Sequence, residues 1–371
     1  MRWGSAALGG ALALLSCASP ARVGPQAPDP ADPGGVWRAG PPLPAPVTNN
    51  AVAALETGNG VSVFSFLGLD RSRAWDGVTR AAYRWDVGDT AWQTLDPVPG
   101  PGRLAATAQS VGGRVYLLGG YTVAADGSER SVPDVNIFDP TTGSWSRGAD
   151  IPVPADDAVS GVWRDSLIVL VSGWHDTANV RDVQVYDPAR DRWTAGTPIP
   201  GVPVFGHTGA VVEDHVVYVD GTAVVPARPR FAIERSSWVG RLGAGGAPGP
   251  ASAGLPIRWR RSEPHPGPPL YRAAGGEARG RALFVGGASN PYNYDGIGYD
   301  GVPAEPLRQV LAYDPVADRW SVLPPPPTAT MDHRNAPVAG GRLFLVGGMR
   351  AGQVVSDEVW YAELGALLGG G

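Results

Sequence analysis

GRVYLLGG (113–120), VNIFDP (135–140) and TTGSWSRG (141–148) together decide the fold of this chain. The first run is short and apolar and stops at two glycines. The second ends in Asp-Pro, and the third is a turn leading to a tryptophan. Short runs rich in Val, Ile, Leu, Tyr and Phe, each bounded by turn residues, are β-strands. The pattern recurs. RALFVGG (281–287), VLAYDP (310–315) and DRWSVL (318–323) repeat it closely, and GRLFLVGG (341–348) repeats its head.

Working outward, strands ending in glycine fall at 61–68, 114–120, 166–173, 215–221, 281–287 and 342–348. Following strands fall at 82–87, 135–140, 183–188, 231–236 (FAIERS), 310–315 and 359–364. Last-strand tryptophans are Trp92, Trp145, Trp193, Trp259 and Trp320, one fewer than the strands require, and Trp37 ahead of the first repeat supplies the sixth. The arithmetic predicts an all-β ring of six four-stranded blades, closed by the N-terminal strand, over 36–364. Such closure removes exposed edges. The most irregular repeat is the fourth. It has Asp220-Gly221 for Gly-Gly, and GRLGAGGAPGPASAG (240–254) reads as an inserted external loop.

Composition agrees. The 371 residues include 52 Gly and 38 Pro, which leave little room for long helices, and 13 Trp for packing. A net charge of −5 gives no basic stripe of the kind nucleic acid requires. The first 17 residues combine Arg2, an apolar run from Ala6 to Leu15 and Ser16-Cys17, an export leader too short to span a membrane. Leu14-Leu15-Ser16-Cys17 resembles a bacterial lipobox, which implies a lipid on Cys17 and a place in the cell envelope, periplasm-facing on the outer membrane. Cys17 is the sole cysteine, so no intramolecular disulfide forms. Residues 18–35 read as a Pro-rich tether and 365–371 as a flexible tail.

The double glycine, the aromatic before Asp-Pro and the downstream Trp resemble the kelch repeat, a resemblance covering about 36–364. In such propellers ligands sit at a channel mouth built by the loops leading into each first strand and those joining second to third strands. The first set offers Arg103, Asp157, His207, Arg272, His333 and Arg334, beside Asn49, Asn50, Asp156 and Tyr271. The second offers Tyr121, Trp174 and Arg228, with Trp75, His175, Arg350 and the run 289–301. Arginine forks, carboxylates, imidazoles and aromatic faces in one ring suit a small polar ligand, anionic or sugar-like, or a protein partner. The five histidines show no metal-site spacing, and neither metal nor cofactor is expected.

Residues 102–148 further resemble the second blade of the N-acetylneuraminate epimerase (sialic acid mutarotase) family, with Arg103 and Arg334 at that family's arginines. The resemblance implies interconversion of sugar anomers, with Arg228 as a catalytic residue. Where the family carries a catalytic glutamate, however, this chain has Thr222, which cannot serve as a base near neutral pH without an activator. Asp220 and Glu234 are the nearby carboxylates that could stand in. Galactose oxidase chemistry needs a cysteine cross-linked to tyrosine, which the sole Cys17 cannot supply. The residues therefore leave three readings, a binding propeller, a mutarotase-like isomerase and a purely structural envelope protein.

Overall fold

The computed structural model describes residues 35–226, 230–244 and 254–369. The leader with Cys17, the tether up to residue 34, Arg228 and the loop segment 245–253 lie outside these residues.

Six four-stranded antiparallel sheets surround one axis, five of them running inner to outer in chain order. In blade two the strands are Thr107–Val111, Arg114–Leu118, Val135–Asp139 and Ser144–Arg147. Blade six closes the ring. Its strands Val338–Ala339, Arg342–Val346 and Val359–Glu363 are completed by Trp37–Ala39, with Trp37 opposite Ala362.

The repeated aromatics explain why these residues fold this way. The residue before Asp-Pro lies directly across from the last-strand tryptophan, with ring centroids 4.9 Å apart for Phe138–Trp145 and Tyr186–Trp193 and 4.6 Å for Tyr313–Trp320. Each indole N–H then donates to a carbonyl at the end of the preceding blade. The acceptors are Asp96 for Trp145 (3.1 Å), Ala149 for Trp193 (2.8 Å), Thr197 for Trp259 (3.2 Å) and Glu263 for Trp320 (2.8 Å). Trp37 donates to Pro324 at 3.1 Å and Trp92 to Pro41 at 2.9 Å, so the same staple spans the closure. Each such bond contributes on the order of 1 kcal/mol, in addition to the larger gain from burying the rings.

The paired glycines sit where the second strand leaves the sheet. Gly119 and Gly120 have φ of 60° and 94°, and a Cβ on Gly120 would collide with the Leu104 carbonyl. In blades one, three and four the first of the pair is Leu67, Ser172 or Asp220, at φ of 61°, 55° and 52°. The backbone demand survives there without the glycine, at some strain.

Two expectations need correction. FAIERS is not the third strand of blade four. Phe231–Ile233 pairs with Thr222–Val224 as a small hairpin, and the blade's third strand is Ser237–Leu242. The inserted loop accordingly starts after Leu242 rather than at Gly240. At the C-terminus, Leu364–Leu367 forms a helical turn whose Leu367 is buried against blade six, where a flexible tail was expected from residue 365.

Candidate functional site

The loops leading into the six first strands meet on the axis, each placing one residue in the left-handed region: Asn49, Ala105, Asp157, Gly206, Arg272 and Asp332, at φ between 49° and 67°. Hydrogen bonds run around this ring from blade to blade. Asp157 N–H donates to Ala105 O, Gly206 N–H to Asp157 O, Arg272 N–H to Gly206 O and Asn49 N–H to Asp332 O, at 3.2, 3.0, 2.8 and 3.2 Å. At Gly206 any side chain would strike the Tyr271 ring.

Side chains then fill the ring. Arg272 grips Asp157 bidentately, Nε to Oδ1 at 3.2 Å and Nη2 to Oδ2 at 2.6 Å, and its Nη1 reaches Asp332 Oδ1 at 3.4 Å. Arg334 approaches Asp157 Oδ1 at 2.6 Å and Asp332 Oδ1 at 3.7 Å. Asp332 also accepts from Thr48 Oγ1 (2.7 Å) and Asn49 Nδ2 (3.2 Å). All four charged side chains are at most 4 % exposed. Burial pushes the Asp157 carboxyl upward, but the two guanidinium groups outweigh it and hold the group below its ordinary value. Two carboxylates and two guanidinium groups neutralise each other, so this end of the channel is plugged. Beneath it, Thr107 Oγ1 contacts Ser160 Oγ and donates to Asn335 Oδ1 at 3.2 Å, a second layer that crosses the axis.

The expected ring of ligand-binding side chains is thus largely internal structure. Arg334 and Arg272 are counter-ions of the plug. Arg103 does not face the channel. It is fully buried in blade two, donating to Gly119 O and Asn136 Oδ1, each at 2.7 Å, and burial, with Arg147 adding to it, lowers its pKa to about 10. His207 is held by Val171 O at 2.9 Å and His333 by Thr330 Oγ1 at 2.7 Å. Burial keeps both imidazoles neutral, with pKa values lowered to about 4 and about 3. Arg350 is paired with Glu358, and Trp75 is an exposed loop residue.

Above the plug lies a cleft of about 350 Å³. It brings together the expected residues Tyr121, Trp174, Asp156, Asp157 and Arg272 with Asn293 and Tyr299 of the expected run 289–301. The walls also include Glu129, Asp176, Phe205 and Phe231. One side is aromatic: Trp174 stands 5.3 Å from Phe205 and 5.6 Å from Phe231, and Phe231 stands 4.4 Å from Tyr299. The lining is also acidic. Burial and the neighbouring Asp157 charge raise the Asp156 carboxyl well above its ordinary value, and Asp156 accepts from Ser131 Oγ at 2.5 Å. Partial desolvation in the cleft also raises Glu129, although the residue keeps an exposed surface. Two adjacent carboxyl groups are therefore pushed apart, Asp157 ionised and Asp156 favouring the proton.

Glu129 and Asp176 lie in the second-to-third-strand loops that contribute Tyr121 and Trp174, and position within those loops was the available signal for them. Phe231 reaches the cleft because it is in the small hairpin that the sequence reading took for a blade strand. Thr222, in the same hairpin, is fully buried, and its Oγ1 has no partner. Asp220 cannot replace the missing glutamate. It is buried and accepts from Leu270 N–H at 2.7 Å, with His265 Nε2 at 2.8 Å. Glu234 is half-buried and is not among the cleft walls.

At the opposite end the channel is a cavity of about 400 Å³, walled by residues from all six blades that include the small side chains Ala53, Ala108, Gly161, Gly209, Gly275 and Ala336. Its polar groups include Gln109, Ser110, Asp165 and Glu277.

Comparison with known proteins bears on this fold. The chain carries a Kelch motif, matched over residues 102–152. It is 28% identical over 142 residues to the Kelch-like protein terF of Aspergillus terreus (strain NIH 2624 / FGSC A1156), a match spanning 37% of this chain and 30% of that protein. Among solved structures it is similar to that of YjhT, with a TM-score of 0.67 and 17% identity, covering 86% of this chain and 95% of the other. At that identity the likeness bears on the fold alone. The protein is a six-bladed β-propeller with a Kelch motif.

Proposed function

We propose that this protein is an exported, non-catalytic binding propeller that takes a small carbohydrate, neutral or amino-bearing, in the cleft over the plug. The observation that carries the reading is the presence of an aromatic cluster (Trp174, Phe231, Tyr299) and carboxylates (Glu129, Asp156, Asp176) in the lining of one cleft. Aromatic faces take the apolar C–H face of a sugar ring, and carboxylates accept from its hydroxyl or ammonium groups. An anionic sugar fits less well. Arg272 is already neutralised by Asp157 and Asp332, and the other charged side chains of the lining are acidic. Arg230 is engaged over the Trp174 and Phe231 rings at 5.8 and 5.4 Å. The leader reading puts the protein in the bacterial cell envelope, held by a lipid on Cys17, with the cleft presented to the periplasm. Saturation-transfer NMR with neutral, amino and acidic monosaccharides tests the ligand class. Contacts from the neutral or amino sugars, weakened in Trp174→Ala, are expected; contacts from acidic sugars alone, unaffected by that substitution, contradict it.

A second reading is favoured by the split carboxyl pair. Opening a cyclic hemiacetal or hemiketal requires a base to take the anomeric hydroxyl proton and an acid to protonate the ring oxygen, and reclosure on the other face returns both protons. A carboxyl favouring its proton (Asp156) beside a second cleft carboxylate (Glu129) supplies those roles without Thr222. In this mutarotase-like reading the purified protein accelerates anomer exchange and Asp156→Asn abolishes the acceleration. An exchange rate equal to buffer leaves the binding propeller.

A further inference from the structure

Blade four departs from the rest of the molecule in charge. In a chain of net charge −5, residues 230–261 carry six arginines against one glutamate. Most are engaged. Arg235 donates to the carbonyls of His265 and Gly267 at 3.2 and 2.7 Å, Arg260 bonds Asp318 at 2.8 Å, and Arg261 lies over the Trp238 ring at 5.2 Å. Arg241 and Arg258 are different. Both are exposed, and among the described residues neither side chain makes an ion pair or hydrogen bond.

The strand register makes this costly. Arg241 is directly opposite Arg258 on one side and directly opposite His215 on the other. Directly paired residues project from the same face only a few ångströms apart, and like charges there destabilise the sheet. The nearby carboxylates relieve the row only in part: Asp214 shares the adjoining cleft with Arg241 and Arg258 and is favourably placed toward Arg241, but neither arginine pairs with it. Asp214 is taken by Arg164, at 3.1 and 3.3 Å, and by the Trp163 indole at 2.8 Å. Glu213, in the same turn, extends toward Gly280 of blade five. His215 Nδ1 is buried without a hydrogen-bond partner. A cleft of about 310 Å³ is lined by His215, Val239, Arg241, Arg258, Trp259 and Arg260. Arg241 and Arg258 also wall an adjoining cleft of about 460 Å³.

We propose that Arg241, Arg258 and His215 form an oxyanion site for a phosphate group, free or on a lipid headgroup, at the outer edge of blade four. Two guanidinium forks can bind such a group bidentately, and the imidazole adds a third donor. The bound anion removes the repulsion that the sheet otherwise carries. The site is at the end of the blade away from the aromatic cleft, so it stands or falls independently of the carbohydrate reading.

The test is thermal unfolding of the full chain in inorganic phosphate against sodium chloride of equal ionic strength, with flotation on phosphatidylglycerol and phosphatidylcholine vesicles. A saturable, phosphate-specific rise in midpoint, lost in Arg241→Gln/Arg258→Gln, supports the site. The double variant should be at least as stable as the wild type in phosphate-free buffer, because the like-charge row is gone. Flotation on phosphatidylglycerol alone, without a response to free phosphate, assigns the group to a lipid. Should the double variant fail to fold, Arg258→Gln on the exposed edge strand should still weaken the response about tenfold. An unchanged response in the variants, or none in the wild type to either probe, overturns the proposal.

Discussion

The two ends of the channel are built from the same six inner strands and differ in almost every physical respect. At one end Asp157, Arg272, Asp332 and Arg334 are interlocked and buried, and the cleft above them is aromatic and acidic. At the other the walls are glycine and alanine, with Glu277 and Gln109 near the opening. The difference teaches that charge in a propeller axis is not by itself a binding site. Where arginines and carboxylates are equal in number and within reach, they satisfy one another, and recognition passes to the layer above.

The largest effect expected from this contrast is on stability. Asp157→Asn leaves two buried guanidinium groups with one carboxylate and should cost about 3–5 kcal/mol by urea denaturation. A cost within a few tenths would mean that the plug is not what joins the blades at this end.

Next come two opposed pH slopes. His207 and His333 have depressed pKa values, so the stability they contribute is present above the ordinary 6.5 and is lost as pH falls toward about 4 and about 3. Relative to wild type, His333→Asn should therefore gain by up to about 1.4 kcal/mol per pH unit on acidification through that window. Asp156 is raised, so its contribution is present below the ordinary 3.8 and is lost as pH rises toward its folded value. Asp156→Asn should gain on wild type in the opposite direction. Parallel slopes would show that the two carboxyl groups at the cleft are not split.

Smaller effects separate the ends directly. Trp174→Ala should weaken sugar binding about tenfold, equivalent to ~1.4 kcal/mol, with the unfolding midpoint nearly unchanged, because the ring is half-exposed. Glu277→Gln, at the far opening, should leave binding unaltered and shift stability by less than about 0.5 kcal/mol.

Most of the fold was legible because its determinants are local and repeated. The aromatic facing the tryptophan and the glycine position after the second strand are visible within a repeat, and comparing the repeats gives the count that sends Trp37 to blade six. Blade four was misread because a short hairpin, Thr222–Val224 with Phe231–Ile233, comes between its second and third strands, and a short apolar run carries no mark of the sheet it joins. The site was legible only as a set of loops. Loop position was enough to bring Tyr121 and Trp174 to the cleft lining, but the pairing of Asp157 with Arg272 across 115 residues was not legible. Each is a plausible ligand-binding side chain alone, and only the closed ring brings them together. Arg103 shows the same limit, since its partners Gly119 and Asn136 are ordinary strand residues.

The most direct measurement is isothermal titration calorimetry of the preferred monosaccharide against wild type, Trp174→Ala and Glu277→Gln. The account predicts one saturable site in the wild type, the same site in Glu277→Gln, and heat reduced about tenfold in affinity or lost in Trp174→Ala. Binding retained in Trp174→Ala and lost in Glu277→Gln would place recognition in the glycine-lined channel and contradict it.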